Sequence, residues 1–135
     1  MEYFDTNIYI YAFCNNIDNE NQKEISKKLI RESIKNHTIV VSEIILYEFV
    51  FTSKKLKEDE VLIEQYLDYL TQFLKPINPN INKRAVEILK QTKQYQSSFD
   101  IFHLAFAEEN NCKLITFDKG FKKLQAISKI EIEIK

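Results

Sequence analysis

Glycine is nearly absent from this sequence, with one among 135 residues, and proline occurs only twice. That scarcity excludes fibrous and low-complexity chains. Hydrophobic residues make up 44% of the chain, so we expect a compact, largely helical globule. The length suits one domain over residues 1–135, which would bury roughly two-thirds of the surface of the unfolded chain. No Gly-, Ser- or Pro-rich linker divides the chain, and it has no internal repeat.

Cysteine is also scarce, and its two positions suggest neither a metal site nor a disulfide framework. Cys14 and Cys112 lie far from any CxxC or Cys/His spacing. The longest apolar runs, such as IILYEFVF, are too short to cross a bilayer. The opening MEYFDTN is acidic from its second residue, which is not typical of a signal peptide. We therefore expect a reduced, cytoplasmic protein with no membrane partner.

The chain lacks the basic excess that nucleic-acid binders usually show. Its net charge is −1, and arginine supplies only Arg31 and Arg84 of the 19 basic residues. The lysines cluster at residues 27–28, 54–57 and 119–123, and such clusters are more often solvated surfaces than binding patches. Overall charge therefore neither identifies a polyanion as the ligand nor excludes one.

The pattern of apolar residues predicts strands that alternate with helices. Strands are expected at residues 2–4, 38–41, 113–117 and 130–134, with at most a very short one at 75–80. Helices are expected from near Asn7 and at residues 23–34, 43–52, 61–74, 81–94 and 99–110. This alternation predicts an α/β fold with a mostly parallel sheet.

Two aspartates follow apolar strands. Asp5 comes directly after residues 2–4, and Asp118 directly after residues 113–117. Ligands of open parallel sheets bind beyond the carboxyl ends of the strands, so both aspartates are expected at the functional edge. Each can instead cap the helix that follows it, a role worth about 1 kcal/mol. Position alone does not separate a functional role from a capping role.

Glu48 is the most informative single residue, because its helix is apolar on almost every side and is expected to be buried. A carboxylate in a buried helix costs several kcal/mol unless something compensates it. No basic residue lies one turn away, so either a metal ion or a distant cation must do so. Asp100 is different, because an acid in the first turn of a helix is stabilised by the helix dipole without further explanation.

Taken together, these four acids predict an all-oxygen site for Mg²⁺ or Mn²⁺ in a chain without zinc-type ligands. Such ions can activate water and stabilise the leaving oxygen of a phosphodiester. His103, three residues after Asp100, is either an ordinary helix residue or a group that supports the site. The acids are Asp5, Glu48, Asp100 and Asp118.

The motifs that carry these acids resemble those of the PIN-domain ribonucleases, most closely the small toxins of the VapC type. They are DTN at residues 5–7, VVSEIILYEF with Ser42 and Glu48, and FDIFHLAFAEENNCKLITFDKGF with Asp100 and Asp118. The resemblance covers essentially the whole chain and places all four acids, in order, on the acidic positions of the family. The bulky and histidine-containing run IFHLAFA after Asp100 departs from the family pattern.

This resemblance implies a three-layer α/β/α fold with a five-stranded, mostly parallel sheet. It implies an endoribonuclease dependent on Mg²⁺ or Mn²⁺, with Asp5, Glu48, Asp100 and Asp118 as catalytic residues and metal ligands. Asn7 and Thr116 match polar positions that orient ligands or water. The implied partners are an RNA substrate, a cognate antitoxin that inserts into the active groove, and a second copy of the chain.

Two other functions remain open from the residues. One is a PIN-like module that binds RNA or protein without turnover, which the retention of all four acids disfavours. The other is an acidic-cluster phosphatase, which is disfavoured because DTN lacks the DxD pair of an aspartyl nucleophile and its acid partner. The apolar residues of the helix at 61–74 are expected mainly in the core, and any exposed part would be a partner surface. They are Leu62, Tyr66, Tyr69, Leu70 and Phe73.

Overall fold

A short strand, β1 (Glu2–Phe4), begins the ordered chain and becomes the centre of the sheet. The computed structural model describes residues 1–92 and 98–135. The elements that follow are α1 (Thr6–Phe13), α2 (Glu20–Lys35), β2 (Ile39–Val40), α3 (Glu43–Lys55), α4 (Glu60–Thr71), α5 (Pro79–Gln91), α6 (Ser98–Glu109), β3 (Lys113–Thr116), a 3₁₀ helix (Lys119–Leu124) and β4 (Ile132–Ile134). No helix in these two ranges combines the length and apolarity needed to cross a membrane.

The sheet is parallel throughout, with the strand order β2-β1-β3-β4. The described residues therefore form four strands, and the expectation of five is wrong in number. Residues 75–80, where at most a very short strand was expected, form no strand, and the nearest pairing is an isolated bridge between Val41 and Leu74. Pro76 has no N–H for a ladder, and Asn78 already caps α5, so the segment has no room for a longer strand.

Helices cover both faces of the sheet. Successive residues of a strand point to opposite faces. Tyr3 packs against Phe106 of α6, with ring centroids 4.9 Å apart. Phe4, the next residue, instead meets Tyr9 of α1 edge-on at 6.0 Å. The α1 and α6 layers therefore lie on opposite sides of β1, which gives the flanked α/β arrangement that the sequence predicts.

Three helix ends reflect the scarcity of glycine. His37, Lys57 and Asn111 follow α2, α3 and α6 with φ values of 56°, 57° and 51°. Glycine commonly fills such left-handed positions because it has no Cβ to clash. Here ordinary side chains occupy them, and each chain reversal is secured by backbone bonds such as that from the Lys57 N–H to the Lys54 carbonyl.

The apolar helix α3 is buried on one face only, which corrects the expectation of burial all round. Ile45, Phe49 and Ser53 are fully buried, whereas Tyr47 and Phe51 are 63% and 66% exposed. The helix packs against α1 and α4. The apolar pattern of α3 predicts that the helix avoids water. It does not predict whether other residues of this chain cover both faces of the helix.

The apolar residues of α4 lie mainly toward the core, as expected. Leu70 is fully buried, and Tyr66 stacks on Phe13 with ring centroids 4.3 Å apart. Phe73 packs against the core from just beyond the helix. Of the five residues expected there, only Tyr69, at 38% exposure, is substantially open to solvent, and Val61 in the first turn of α4 is 63% exposed. These five residues therefore offer little apolar surface to a partner.

Candidate active site

The carboxyl ends of β1 and β3 meet at the centre of the sheet. In the sheet, β2 lies on one side of β1, and β3 and β4 lie on the other side. The strand order therefore reverses between β1 and β3. Ligands of open α/β sheets bind at such a point. Asp5 follows β1 directly, and its N–H extends the pairing by donating to the Ile115 carbonyl at 2.9 Å. Asp118 follows β3 by two residues.

Asp5 is almost fully buried and has a hydrogen bond on each carboxyl oxygen. The Thr6 N–H donates to Oδ1 at 2.8 Å, and the Thr116 hydroxyl donates to Oδ2 at 2.8 Å. Burial nevertheless raises the pKa of Asp5 above its ordinary value, although His103, Thr116 and Thr6 act in the opposite direction. The residue therefore does more than begin α1, because it keeps a carboxyl group at the cleft at an energetic cost.

Thr116 connects the two strand ends. Its hydroxyl donates to Asp5 and accepts a hydrogen bond from the Asp118 N–H at 2.9 Å. The side chain is fully buried. One hydroxyl group thus fixes Asp5 relative to the backbone that carries Asp118.

Glu48 reaches the same edge from α3. Its Oε1 accepts from the Thr6 hydroxyl at 2.9 Å and lies 2.5 Å from His103 Nε2. Partial burial disfavours the charged carboxylate, but the hydrogen bond and charge of His103 outweigh it, so the pKa of Glu48 lies below its ordinary value. His103 is thus the distant compensating group that the sequence left open, and a metal ion is not required to explain the burial.

Asp100 lies in the first turn of α6, half-buried and close enough to the other acids to be affected by their charges. Its pKa is raised to about 6, chiefly by burial and then by the charges of Asp5 and Asp118. Glu48 adds to the rise more weakly, and His103 opposes it. The helix dipole, by itself, would instead stabilise the charged form of an acid at this position. Burial and the nearby acids therefore both disfavour the charged form of Asp100.

Asp118 is exposed and begins the 3₁₀ helix. Its Oδ1 accepts from the Gly120 N–H at 2.8 Å, as the capping interpretation predicts. The single glycine of the chain leaves room for this approach, since a Cβ at position 120 would lie 3.0 Å from that oxygen and would push the Asp118 side chain slightly away. Capping uses one carboxyl oxygen, and the charge of Asp118 still acts on Asp100.

The four acids suit a hard divalent cation by chemistry. All their donors are carboxylate oxygens, which Mg²⁺ and Mn²⁺ prefer. Over residues 1–92 and 98–135, no Lys or Arg forms an ion pair with any of them. The same residues contain no group of three or more His, Cys, Asp or Glu side chains already arranged as a metal cluster. The donor set therefore fits the ion, while the described geometry is not a closed cage.

The supporting residues differ from the expectation. Thr116 lies inside the site, whereas Asn7 is exposed at the start of α1, and no hydrogen bond from its side chain is found within the described part of the chain. Sequence reasoning did not identify Thr6 or Tyr3, both of which contact the site or its histidine. Only the DTN motif could have pointed to Thr6, and the contact of Tyr3 with His103 spans 100 residues.

An aromatic cavity of about 530 Å³ adjoins Glu48. It is lined by Tyr47, Phe51 and Thr52 of α3 together with Phe99 of α6, and Glu48 forms part of its wall. Phe99 is 50% exposed, like the two α3 aromatics around it. We call Tyr47, Phe51 and Phe99 the aromatic rim. It is an exposed apolar surface next to the candidate catalytic carboxylate.

One family model matches most of the chain, and two solved structures share its fold. Residues 3–127 match the family model described as PIN domain. A toxin–antitoxin complex from Klebsiella pneumoniae is 22% identical with a TM-score of 0.68, over 94% of this chain and 92% of that chain. VapBC2 from Rickettsia felis, bound to a DNA fragment from their promoter, is 24% identical with a TM-score of 0.72, over 100% and 99%. The search of curated proteins found no match.

Asp100→Asn should raise the melting temperature of the ion-free protein at pH 8. Because the carboxyl pKa is raised by folding, the folded protein binds this proton more tightly than the unfolded chain between about pH 4 and pH 6. The stability contributed by this group falls as pH rises through that window and stays low above it. We expect the variant to gain about 1 kcal/mol, after discounting for solvent screening of a half-buried group.

The measurement is thermal unfolding in EDTA at pH 8 and pH 5, and the gain should shrink at pH 5, where wild-type Asp100 is protonated. Asp59→Asn is the control, because Asp59 also lies at a helix start but caps α4 on the surface. Asp100→Asn melting below wild type at both pH values would mean that Asp100 acts only through the helix dipole.

Thr116→Val should destabilise the fold by about 1–3 kcal/mol, because it leaves a carboxyl oxygen of Asp5 and the Asp118 N–H without their partner. Valine keeps the shape of threonine, so little of the loss can come from packing. Urea unfolding measures the effect, and Thr71→Val, at an exposed helix end, should change stability by under about 0.5 kcal/mol. Equal effects of the two substitutions would contradict a special role for Thr116.

Proposed function

Because residues 3–127 match its family model, the chain belongs to the PIN-domain family, and we propose that it is a metal-dependent ribonuclease hydrolysing phosphodiester bonds of RNA. The proposal treats residues 1–135 as one domain. The observation that carries it is the placement of four acids at the carboxyl edge of the sheet: Thr116 joins Asp5 to the backbone of Asp118, and burial with the charges of these two acids raises the pKa of Asp100. A protein has little reason to keep such a cluster unless a cation compensates it.

Asp5, Glu48, Asp100 and Asp118 would hold Mg²⁺ or Mn²⁺ in this proposal. A bound divalent ion supplies Lewis acidity and lowers the pKa of water. The protein supplies position: Thr6 and Thr116 hold Asp5, while His103 and Thr6 hold Glu48. Asn7, exposed and two residues after Asp5, would orient substrate or water in this proposal.

The protonation of Asp100 in the ion-free protein affects how the site binds a cation. With a pKa of about 6, a fraction of this carboxyl group is protonated near neutral pH. Binding a cation requires the carboxylate form, so binding should release protons, increasingly so as pH falls toward 6. The site is therefore expected to bind its ion more weakly in mild acid.

We also propose that the chain is the toxin of a toxin–antitoxin pair. The similar structures described above are toxin–antitoxin complexes. The support for a protein partner in this chain is its surface, because Tyr47 and Phe51 keep two-thirds of their area in solvent beside the active edge. Exposed contiguous apolar patches on soluble proteins usually mark interaction sites.

The aromatic rim is the surface that we assign to a second copy of this chain. The residues of α4 were the expected surface, but most of them face the core. Helix α3 is apolar around its circumference yet covered on one face only, which is the pattern of a helix completed by an interface. Lys55 Nζ lies 5.4 Å from the centre of the Phe51 ring, which gives the patch a polar margin.

RNA cleavage is the test of the enzymatic proposal. The protein should cut single-stranded RNA with Mg²⁺ or Mn²⁺, and EDTA should abolish the cut. Asp118→Asn should reduce the rate by more than about 100-fold, because loss of even an outer partner of a metal site costs 10–100-fold. Asp59→Asn should leave the rate unchanged, since both aspartates cap helices but only Asp118 lies at the cleft. A folded wild type that never cuts RNA would favour the non-catalytic binding module.

Replacing Tyr47 and Phe51 together by serine should convert a dimer to a monomer. Light scattering after gel filtration reads the mass directly. Val61→Ser is the control, because Val61 is 63% exposed on α4 and lies outside the rim. If wild type is monomeric at high concentration, the proposal of a dimer is wrong. If the double substitution instead abolishes binding of the antitoxin, the aromatic rim belongs to that partner.

A further inference from the structure

A buried chain of hydrogen-bonding side chains runs beneath Glu48. The Tyr3 hydroxyl lies 2.7 Å from Ser42 Oγ and 2.6 Å from His103 Nδ1. His103 Nε2 then lies 2.5 Å from Glu48 Oε1. Tyr3, Ser42 and His103 are all fully buried. The chain joins the central strand β1, the start of α3 and the middle of α6 to one carboxylate.

Counting protons fixes the direction of the last bond. A carboxylate only accepts hydrogen bonds, so Nε2 must carry the proton that it gives to Glu48. Nδ1 then meets the Tyr3 hydroxyl, which can either donate or accept, and that hydroxyl in turn meets the Ser42 hydroxyl, which can do the same. Ser42 Oγ also accepts from the Ile45 N–H at 3.3 Å, which anchors it to α3. The Nε2–H donor toward Glu48 is therefore present whichever way the two hydroxyls point.

Both bonds to Glu48 fall on the same oxygen. His103 Nε2 and the Thr6 hydroxyl meet at Oε1, while Oε2 receives no hydrogen bond from the residues that the structure describes. A carboxylate held by one oxygen from two directions cannot rotate freely. The geometry points to His103 as a positioning residue, which clamps Glu48 through Oε1 and leaves Oε2 as the oxygen offered to the cation. This inference rests on the proposed metal-dependent function.

Burying this series of polar side chains costs free energy that an apolar core would not, which favours a functional role for it. Buried polar groups stabilise a core only when all are satisfied, and an apolar side chain at position 103 would pack against Tyr3 and Phe102 without that risk. Tyr9 gives the contrast, because it is equally buried and its hydroxyl has no partner within the described residues. The Tyr3 hydroxyl, by comparison, has two partners and ends, through His103, at the active edge.

Mn²⁺ binding to the full-length ion-free protein tests the inference, measured by calorimetry or by the electron paramagnetic resonance of free Mn²⁺. His103→Phe keeps a ring but removes the donor, and should weaken Mn²⁺ binding by about 10- to 100-fold, the usual effect of losing a group that orients a ligand. His103→Gln places an amide N–H near the same position and should recover part of that loss. Tyr3→Phe should weaken binding less than His103→Phe, and Tyr9→Phe should leave it unchanged.

Circular dichroism and melting in EDTA show whether each variant is folded. A folded His103→Phe that binds Mn²⁺ as tightly as wild type would overturn the inference, as would equal effects of Tyr3→Phe and Tyr9→Phe. Nitrogen NMR of the His103 ring in EDTA distinguishes failure of the inference about His103 from failure of the proposed metal-dependent function. If wild type binds no Mn²⁺, the metal-dependent function fails, yet an Nε2–H protected from exchange still supports the clamp on Glu48. A rapidly exchanging Nε2–H overturns the clamp itself.

Discussion

Repulsion among carboxylates gathered at one edge of the sheet is the constraint on which the rest of this structure depends. Parallel strands bring their carboxyl ends together, so Asp5 and Asp118 are near neighbours by topology alone. Helices α3 and α6 then add Glu48 and Asp100. The described residues provide no lysine or arginine pair for these acids, and burial together with the charges of Asp5 and Asp118 raises the pKa of Asp100 to about 6. The protein tolerates that cost because its core elsewhere is apolar and well covered.

The site is divided between a rigid half and an adaptable half. Asp5 and Glu48 are held by side-chain and backbone donors from Thr6, Thr116 and His103. Asp118 is exposed, and Asp100 is half-buried in the first turn of α6. Fixed ligands reduce the entropy lost on binding a cation, while the other carboxylates can adjust to its coordination. The structure thus places hydrogen bonds where position matters and uncompensated charge where a cation would be attracted.

Sequence reasoning recovered what is encoded locally. Asp5 and Asp118 could be placed at the carboxyl edge of the sheet because each follows an apolar strand, and Ser42 could be recognised as a helix cap from its neighbours. The contact of His103 with Glu48 could not, since 55 residues separate them and no periodicity links a helix on one face to a helix on the other. The half-exposed state of α3 was missed for a related reason: an apolar pattern reports avoidance of water, and not the molecule that provides cover. The prediction of a fifth strand was wrong because Pro76 and the cap at Asn78 interrupt its pairing, which depends on local hydrogen bonds and not on composition.

A crystal structure of the protein soaked with Mn²⁺, with the ion located by its anomalous scattering, is the most direct test of the central claim. The ion should lie among Asp5, Glu48, Asp100 and Asp118, with Glu48 contributing Oε2 while Oε1 remains on His103. An ion bound instead among the acids of the distant cleft that includes Glu87, Glu108 and Glu109, or no ion at the carboxyl edge of the sheet, would contradict it.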